Sequence, residues 1–552
     1  VQGILILQQT MMQKNKKKLI LLGLDGAAFP LLDPYMEEGV MPNLRAIHEQ
    51  GAWGELASTM PATTPPAWAS CCAGVNPGRH GIVDFRESPK RDRNRPMISS
   101  RSVRMPRIWH LLNRNGRTTV MLNVPLTYPP EPVDGAMISG LMTPDGDQDY
   151  TFPRELAHEM KQELGDYIVN VDIPRYDTEL PGDAQAFLDD VERAFDLRVK
   201  AHHYLQKRFQ PDFLMTVFIL TDRIQHLFWK YLDPEFDLYN SEMASLIRPR
   251  IKELYKKLDG AVGDIAGNLP ADSNLIILSD HGFGGTESYF NVNQWLQDNG
   301  WLKVKSGAAI KKRIFFSAMK LNDQPWVKRF LPNAFQSWFR SKVRGTRSSF
   351  KSDLETSIDW DHTRAYFPSI PSQGIYLTKP DPALLDEIEA GLREVTDDSG
   401  KKVIDQIWHG EELYHGAQAE YMPDIVFLAR DYRILGRPLL NIGERFSPSL
   451  QTPLGFHRSQ GILFGLGADI QPGMVTGAKI EDTMPTALYL MGEPIPEKLD
   501  GQIIPGFVKP EQLTSSPPKY CDAEPELQQD AKEYSPEEEK SVEDRLRALG
   551  YL

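Results

Sequence analysis

Three aspartates close the three most hydrophobic runs of the sequence. Asp25 ends KLILLGLD (18–25), Asp222 ends DFLMTVFILTD (212–222) and Asp280 ends NLIILSD (274–280). In an open α/β sheet the ligand crevice lies beyond the carboxyl ends of the strands. Three neighbouring strands would therefore bring three carboxylates to one spot. Like charges a few Å apart cannot all stay ionised, and one or two divalent cations would remove that conflict. A single aspartate at a strand end is as often a turn or cap residue; three in this arrangement weigh against that plainer reading. Histidines accompany two of them. His281 follows Asp280 directly in SDHGFGG, and His226 follows Asp222 in TDRIQH. The Asp-x-x-x-His spacing spans one helical turn, so both side chains share a face. A further histidine, His457, sits in TPLGFHRSQGILFG, in a loop before a strand pattern. Carboxylate and imidazole sets of this kind suit Zn or Mn. His48, His110, His158, His202 and His203 lie in helical patterns and carry no such expectation.

A nucleophile is needed beside these groups. The segment 58–82, STMPATTPPAWASCCAGVNPGRHGI, is rich in hydroxyls and turn residues. Thr64-Pro65-Pro66 reads as a helix start, with proline at the first helical positions and the N-terminal amides facing an anion. Taken alone, Thr64 would be read as an N-cap. Beside a metal its hydroxyl becomes an alkoxide nucleophile at neutral pH.

The elements that must position these residues are legible in outline. The runs at 18–25, 212–222 and 274–280, with the weaker AMISG (136–140), DIVFLA (424–429) and GILFGLG (461–467), are apolar at successive positions. That is how strands buried on both faces read. Helical patterns lie between them, at 153–164 and 184–209. Strand alternating with helix predicts an α/β fold with a mostly parallel central sheet and helices on both faces.

Two regions depart from this pattern. Residues 303–351 hold thirteen Lys/Arg against one acidic residue, Asp323, and eight Phe or Trp. The segment reads as a basic helical insertion packed on the core, as a cap over an anionic substrate, or as a surface for acidic lipid headgroups. Residues 509–552 read as a linker and a docked helix without chemistry. There Ser535, Pro536 and Glu538 make an N-cap, N1 and capping-box set, and Val542, Leu546 and Leu549 share one face. Residues 1–17 read as an N-terminal tail. The catalytic core is expected over 18–302 and 352–508.

Composition bounds the function classes. The chain has 552 residues, 41% of them apolar, which suffices for a large buried core and excludes wholesale disorder. Three cysteines, two of them adjacent, exclude a disulfide scaffold and fit a cytoplasmic location. No apolar run reaches the ~18 residues of a membrane span. A net charge of −13 argues against a nucleic-acid duplex as partner. Oligomeric state is not legible.

At these residues the sequence resembles the alkaline phosphatase superfamily, and most of all its type I phosphodiesterase/nucleotide pyrophosphatase branch. The motifs are LGLDG (22–26), TTPPAWASCCAGVNPGRHGI (63–82), TDRIQH (221–226), SDHGFGG (279–285) and GFHRSQG (455–461), with secondary echoes at 41–44, 122–130 and 481–501. The resemblance covers roughly 18–505 and implies an alkaline-phosphatase-like fold with two divalent ions, Zn or Mn. It implies that Asp25, Thr64, Asp280 and His281 hold one ion and Asp222, His226 and His457 the other. Three carboxylates and one alkoxide would balance two divalent ions. The implied reaction is in-line attack by Thr64 on the phosphorus of a small anionic phosphoester, giving a phosphothreonine that is then hydrolysed.

Some features depart from the resemblance. Relatives carry an asparagine that holds a phosphoryl oxygen where this chain has Phe85. The neighbouring Arg86 is the candidate replacement, so Phe85 and Arg86 are the candidate substrate-binding positions. Thr63 is an alternative nucleophile, although Thr64 fits the spacing of the relatives better. Cys71 and Cys72 lack the Cys-x-Pro-x-Arg context of sulfatases and are expected to pack in the helix after the nucleophile. Two other functions compete: phosphomonoester hydrolysis or mutase-like phosphoryl transfer, and a non-catalytic, metal-stabilised binding protein.

Overall fold

The computed structural model describes residues 17–146, 149–270, 272–305, 357–440, 443–448, 455–522 and 534–551. The tail at 1–16 and nearly all of the basic segment at 303–351 lie outside the described residues. The chain divides into two units. One comprises Val1–Thr286, Glu411–Met422 and Gln451–Leu552; the other comprises Glu287–Gly410 and Pro423–Leu450.

The first unit is built on a nine-stranded sheet. Its strands include β1 (Lys18–Leu24), β2 (Ala52–Ala57), β3 (Thr119–Val124), β4 (Gly135–Ser139), β5 (Thr151–Phe152), β6 (Phe213–Phe218) and β7 (Ser273–Leu278). The spatial order is Gly473–Lys479, β2, Gln460–Gly467, β7, β1, β6, β3, β4, β5. β1 lies at the centre, parallel to both β6 and β7. Every residue of β3, β6 and β7 is buried. That explains their largely apolar sequences, because a strand covered on both faces has no solvent-facing side to show. Leu24 is in register with Phe218, and Gly23 with Leu278, so the carboxyl ends of the three central strands stop level with one another.

The apolar runs alone do not fix strand direction. Gln460–Gly467, from the run at 461–467, enters the sheet antiparallel to both β2 and β7. The run at 424–429 forms Ile425–Ala429 in the second unit, within a four-stranded antiparallel sheet beside the helix Pro382–Arg393. A continuous apolar run reports burial, not direction or sheet membership.

Five helices matter for the site. α1 (Thr64–Ala73) is buried at all ten positions. α2 (Pro181–Phe209) turns an apolar stripe including Phe187, Val191, Phe195 and Leu205 inward, as its sequence pattern predicts. α3 (Leu220–Leu232) follows β6 after a single residue. α4 (Glu242–Gly267) is N-capped by Ser241, whose hydroxyl accepts from the Ala244 N–H at 3.1 Å, and it packs on α2 and α3. α5 (Pro536–Ala548) starts in the expected capping box of Ser535 and Glu538.

Gly23 in β1 is required by a close approach. A Cβ there would lie 2.3 Å from the indole of Trp68 on α1. The bare backbone lets α1 settle onto β1 and brings Trp68 Nε1 within 3.3 Å of the Asp25 carboxylate, to which it donates.

Candidate metal centre

Asp25 is the residue after β1, and its N–H donates to Phe218 O at 3.0 Å. The next residue, Gly26, has φ +67°, a left-handed turn that glycine adopts without strain. Its N–H donates to Asp280 Oδ1 at 3.2 Å. Asp280 lies two residues beyond β7. Asp222 is not the last residue of its strand, as the sequence suggests; β6 stops at Phe218 and Asp222 stands in the first turn of α3. His226 lies one turn further on the same helix, with Nε2 3.2 Å from Asp222 Oδ1. The i, i+4 expectation therefore holds in this geometry.

His457 belongs to a short strand, Gly455–Arg458, rather than a loop. That strand pairs antiparallel with Gly282–Gly285, with His457 opposite Phe283. The pairing brings the His457 ring over that of His281, stacked at 3.5 Å between centroids.

The six carboxylate and imidazole side chains form two triads. Asp25, Asp280 and His281 make one, and Asp222, His226 and His457 the other; in each, one ligand-type atom per residue lies within 4.8 Å of the others. All six are essentially excluded from solvent. Asp25 Oδ1, Asp222 Oδ1 and Asp280 Oδ2 are buried without a hydrogen bond, which is unfavourable for a carboxylate oxygen unless a cation meets it.

The imidazoles are oriented for ligation. His281 Nδ1 lies 3.0 Å from Gly282 O, and His457 Nδ1 lies 3.0 Å from Ala62 O. A carbonyl only accepts, so in both rings Nδ1 carries the proton and Nε2 presents its lone pair to the cluster. Metal-ligating histidines are held by such outer hydrogen bonds. Orphaned carboxylate oxygens and exposed imidazole lone pairs together form a donor set that fits divalent cations such as Zn.

The electrostatics agree. Burial, and then the Asp222 charge, push the Asp25 carboxyl up to about 8. Burial and the nearby Asp25 raise Asp280 well above the carboxylate range. Asp222 goes the other way: burial opposes its charge, but His226, His457 and Arg223 together hold it well below that range. Burial lowers His457 to about 4 and His281 well below the ordinary imidazole value. Neutral His281 and His457 and crowded carboxylates are the state that a cation would complete.

Thr64 is the first residue of α1, with Oγ1 3.2 Å from His281 Nε2. The helix N-terminus offers less to an anion than the sequence suggests. Pro65 and Pro66 have no N–H, and the Ala67 N–H is bonded to Thr63 O at 3.1 Å. Of these first-turn positions, only the Thr64 amide remains. Thr63 is the N-cap, and its buried hydroxyl has no partner.

The two candidate substrate positions are otherwise engaged. Phe85 is fully buried, its ring 4.7 Å from that of Tyr551. The Arg86 guanidinium pairs with Glu539 at 3.2 Å and Glu543 at 3.3 Å on α5, and donates to Arg95 O. These contacts tie Arg86 to the last helix and do not aim it at Thr64. Cys71 and Cys72 are buried free thiols within α1, as expected.

Sequence reasoning missed three residues of the site. Arg223, 2% exposed, donates from Nη1 to Asp222 Oδ2 at 2.5 Å and adds a positive charge to the balance. Trp68 holds Asp25. Tyr551 reaches His226 and His457 from α5, in a region expected to be without chemistry. For Arg223 a signal existed, because an arginine inside an apolar helical pattern needs a buried partner. Nothing in the sequence points Tyr551 here.

One solved structure shares this architecture. The crystal structure of phosphonoacetate hydrolase from Sinorhizobium meliloti 1021 in complex with phosphonoformate matches with TM-score 0.51 at 16% identity, over 86% of this chain and 95% of that one. Murine ectonucleotide pyrophosphatase/phosphodiesterase 5 matches with TM-score 0.44 at 12% identity, over 86% and 95%. No curated protein matches the sequence. The fold is of the alkaline phosphatase type, and the family model for type I phosphodiesterase/nucleotide pyrophosphatase matches residues 19–347. The chain therefore belongs to the type I phosphodiesterase/nucleotide pyrophosphatase family, within the alkaline phosphatase superfamily.

Proposed function

We propose that the chain hydrolyses small phosphodiesters or pyrophosphates with two divalent ions, of which Zn fits best, and Thr64 as nucleophile. Family membership supports phosphoester hydrolysis as the chemistry. One observation carries the finer reading: two buried donor triads meet in one site, with the Thr64 hydroxyl 3.2 Å from the histidine of one of them.

When bound, the two ions would supply the positive charge that lowers the pKa of a hydroxyl and offsets the charge of the transition state. The chain's own residues do the rest. Burial of Thr64 at the start of α1 fixes its Oγ1 beside the triads. Attack on phosphorus in line with the departing oxygen forms a Thr64 phosphoester and releases the first product. Water then cleaves the Oγ1-linked phosphoryl group, restoring the hydroxyl. Arg223 donates to Asp222 at 2.5 Å and sets a positive charge beside it.

The test is elemental analysis of the purified protein together with turnover of a chromogenic phosphodiester and the matching monoester, before and after chelation. Two ions per chain and a chelator-sensitive diesterase activity are expected. Thr64→Ala should keep both ions and lose turnover; full diesterase activity in that variant rejects the covalent route.

A further inference from the structure

α5 ends in a turn that aims one side chain. Its last residues close as a Schellman motif: the Gly550 N–H donates to Arg547 O at 3.0 Å and the Tyr551 N–H to Leu546 O at 3.0 Å. Gly550 has φ +85°, the left-handed conformation this motif requires. The turn directs Tyr551 inward, and its side chain is fully buried.

The helix carrying it is firmly placed. Val542, Leu546 and Leu549 are buried. Arg545, 1% exposed, donates to Thr143 O at 3.0 Å and pairs with Asp145. Arg86 grips Glu539 and Glu543, Tyr128 donates to Glu538 at 3.1 Å, and Tyr534 donates to Met142 O at 3.0 Å. The Tyr551 ring packs on Phe85. An apolar residue at position 85 suits that role, whereas a polar one would compete for the phenol.

The phenol oxygen ends 2.7 Å from His226 Nε2 and 2.8 Å from His457 Nε2. Those two nitrogens are 3.1 Å apart, and Asp222 Oδ1 lies 3.2 Å from one and 3.7 Å from the other. Four donors around a tetrahedral ion with bonds of about 2.0–2.1 Å stand roughly 3.3 Å from each other. The five separations bracket that value. With an ion in the triad, the phenol oxygen would be either bound to it or displaced.

We propose that Tyr551 is a displaceable fourth protein donor to the ion held by Asp222, His226 and His457. The proposal rests on the metal reading above and extends it. Hydrolysis needs a coordination position open to a substrate oxygen, and four fixed protein donors would close it. Asp222 and His226 sit in a buried helix packed on the strands Gly455–Arg458 and Gly282–Gly285, the first of which carries His457. Tyr551 alone stands in the turn beyond a helix end, so its side chain can rotate away while α5 stays in place, and it is the donor that yields. On ligation the phenol gives its proton to solvent; on displacement by a phosphoryl oxygen it takes one back.

The test uses the full chain loaded with Fe(III) or Cu(II), whose phenolate complexes absorb in the visible by charge transfer. Wild type should show this band. Tyr551→Phe, which keeps the ring on Phe85, should lack it at equal metal content and release one Zn to a chelator about tenfold more readily. Inorganic phosphate should bleach the wild-type band. Identical spectra for wild type and Tyr551→Phe with metal bound would overturn the proposal and leave the hydrolase reading intact; the phenol would then be a hydrogen-bond relay between the two imidazoles. A band untouched by saturating phosphate would overturn displaceability. Absence of bound metal in both proteins would overturn this proposal and the two-metal reading together.

Discussion

Replacing Asp25 by asparagine should stabilise the metal-free protein at alkaline pH while it weakens the metal-loaded one. The carboxyl is 2% exposed, and its pKa rises from 3.8 to about 8, chiefly by burial and then by the Asp222 charge. The folded, metal-free chain thus holds a proton that the unfolded chain sheds above 3.8. Stability from this group is full below that pH and is lost progressively as pH rises towards 8. At pH 7 the gap is about three pH units, and ~1.4 kcal/mol each gives a ceiling of ~4 kcal/mol. Asparagine is uncharged, nearly isosteric, and can still accept from Trp68 Nε1 and donate towards Asp280. Metal-free Asp25→Asn should therefore exceed metal-free wild type by a few kcal/mol near pH 8, and the two should converge near pH 4. Asp280, also raised, leaves a residual slope in both. With Zn present the order should reverse, because the variant has lost a ligand. Denaturant midpoints from pH 4 to 8, with chelator and with Zn, measure both effects. Parallel pH profiles for the two chelated proteins would refute the account of the crowded carboxylates.

Other substitutions probe different parts of the same argument. His226→Ala should bind one ion fewer than wild type by elemental analysis, and unchanged stoichiometry would remove His226 from the donor set. Gly23→Ala would place a methyl 2.3 Å from the Trp68 indole; an overpacked core of this kind costs roughly 1–3 kcal/mol, visible as a lower denaturant midpoint, with weaker metal retention as Asp25 loses its donor. Burial holds His202 neutral, with its pKa lowered to about 3, so the unfolded chain takes up a proton below about 6.5 that the folded chain refuses. Stability should fall with acid through that window, and His202→Gln should flatten the fall by at most ~1.4 kcal/mol per pH unit in equilibrium unfolding.

Local rules reached far into this protein because much of its site is built from short-range features. The unbroken apolar runs mark the central strands, and the aspartates that follow them mark the crevice. The i, i+4 spacing puts Asp222 and His226 on one face, and the Ser535–Glu538 capping box starts α5 where it should. Strand direction was not legible in 461–467, since burial on both faces writes the same apolar run in a parallel or an antiparallel neighbour. The first-turn amides of α1 were overcounted because two of them belong to prolines.

Tertiary structure alone decided which distant groups meet. Trp68 reaches Asp25 only because Gly23 clears the surface of β1 for α1. Tyr551 and His226 are 325 positions apart, and nothing in the composition or period of α5 says where its apolar face will dock. Propensity, periodicity and capping act over a few residues, so they specify each element and its ends. The destination of an element is set by the complementary surfaces that other, remote parts of the chain present once they have folded.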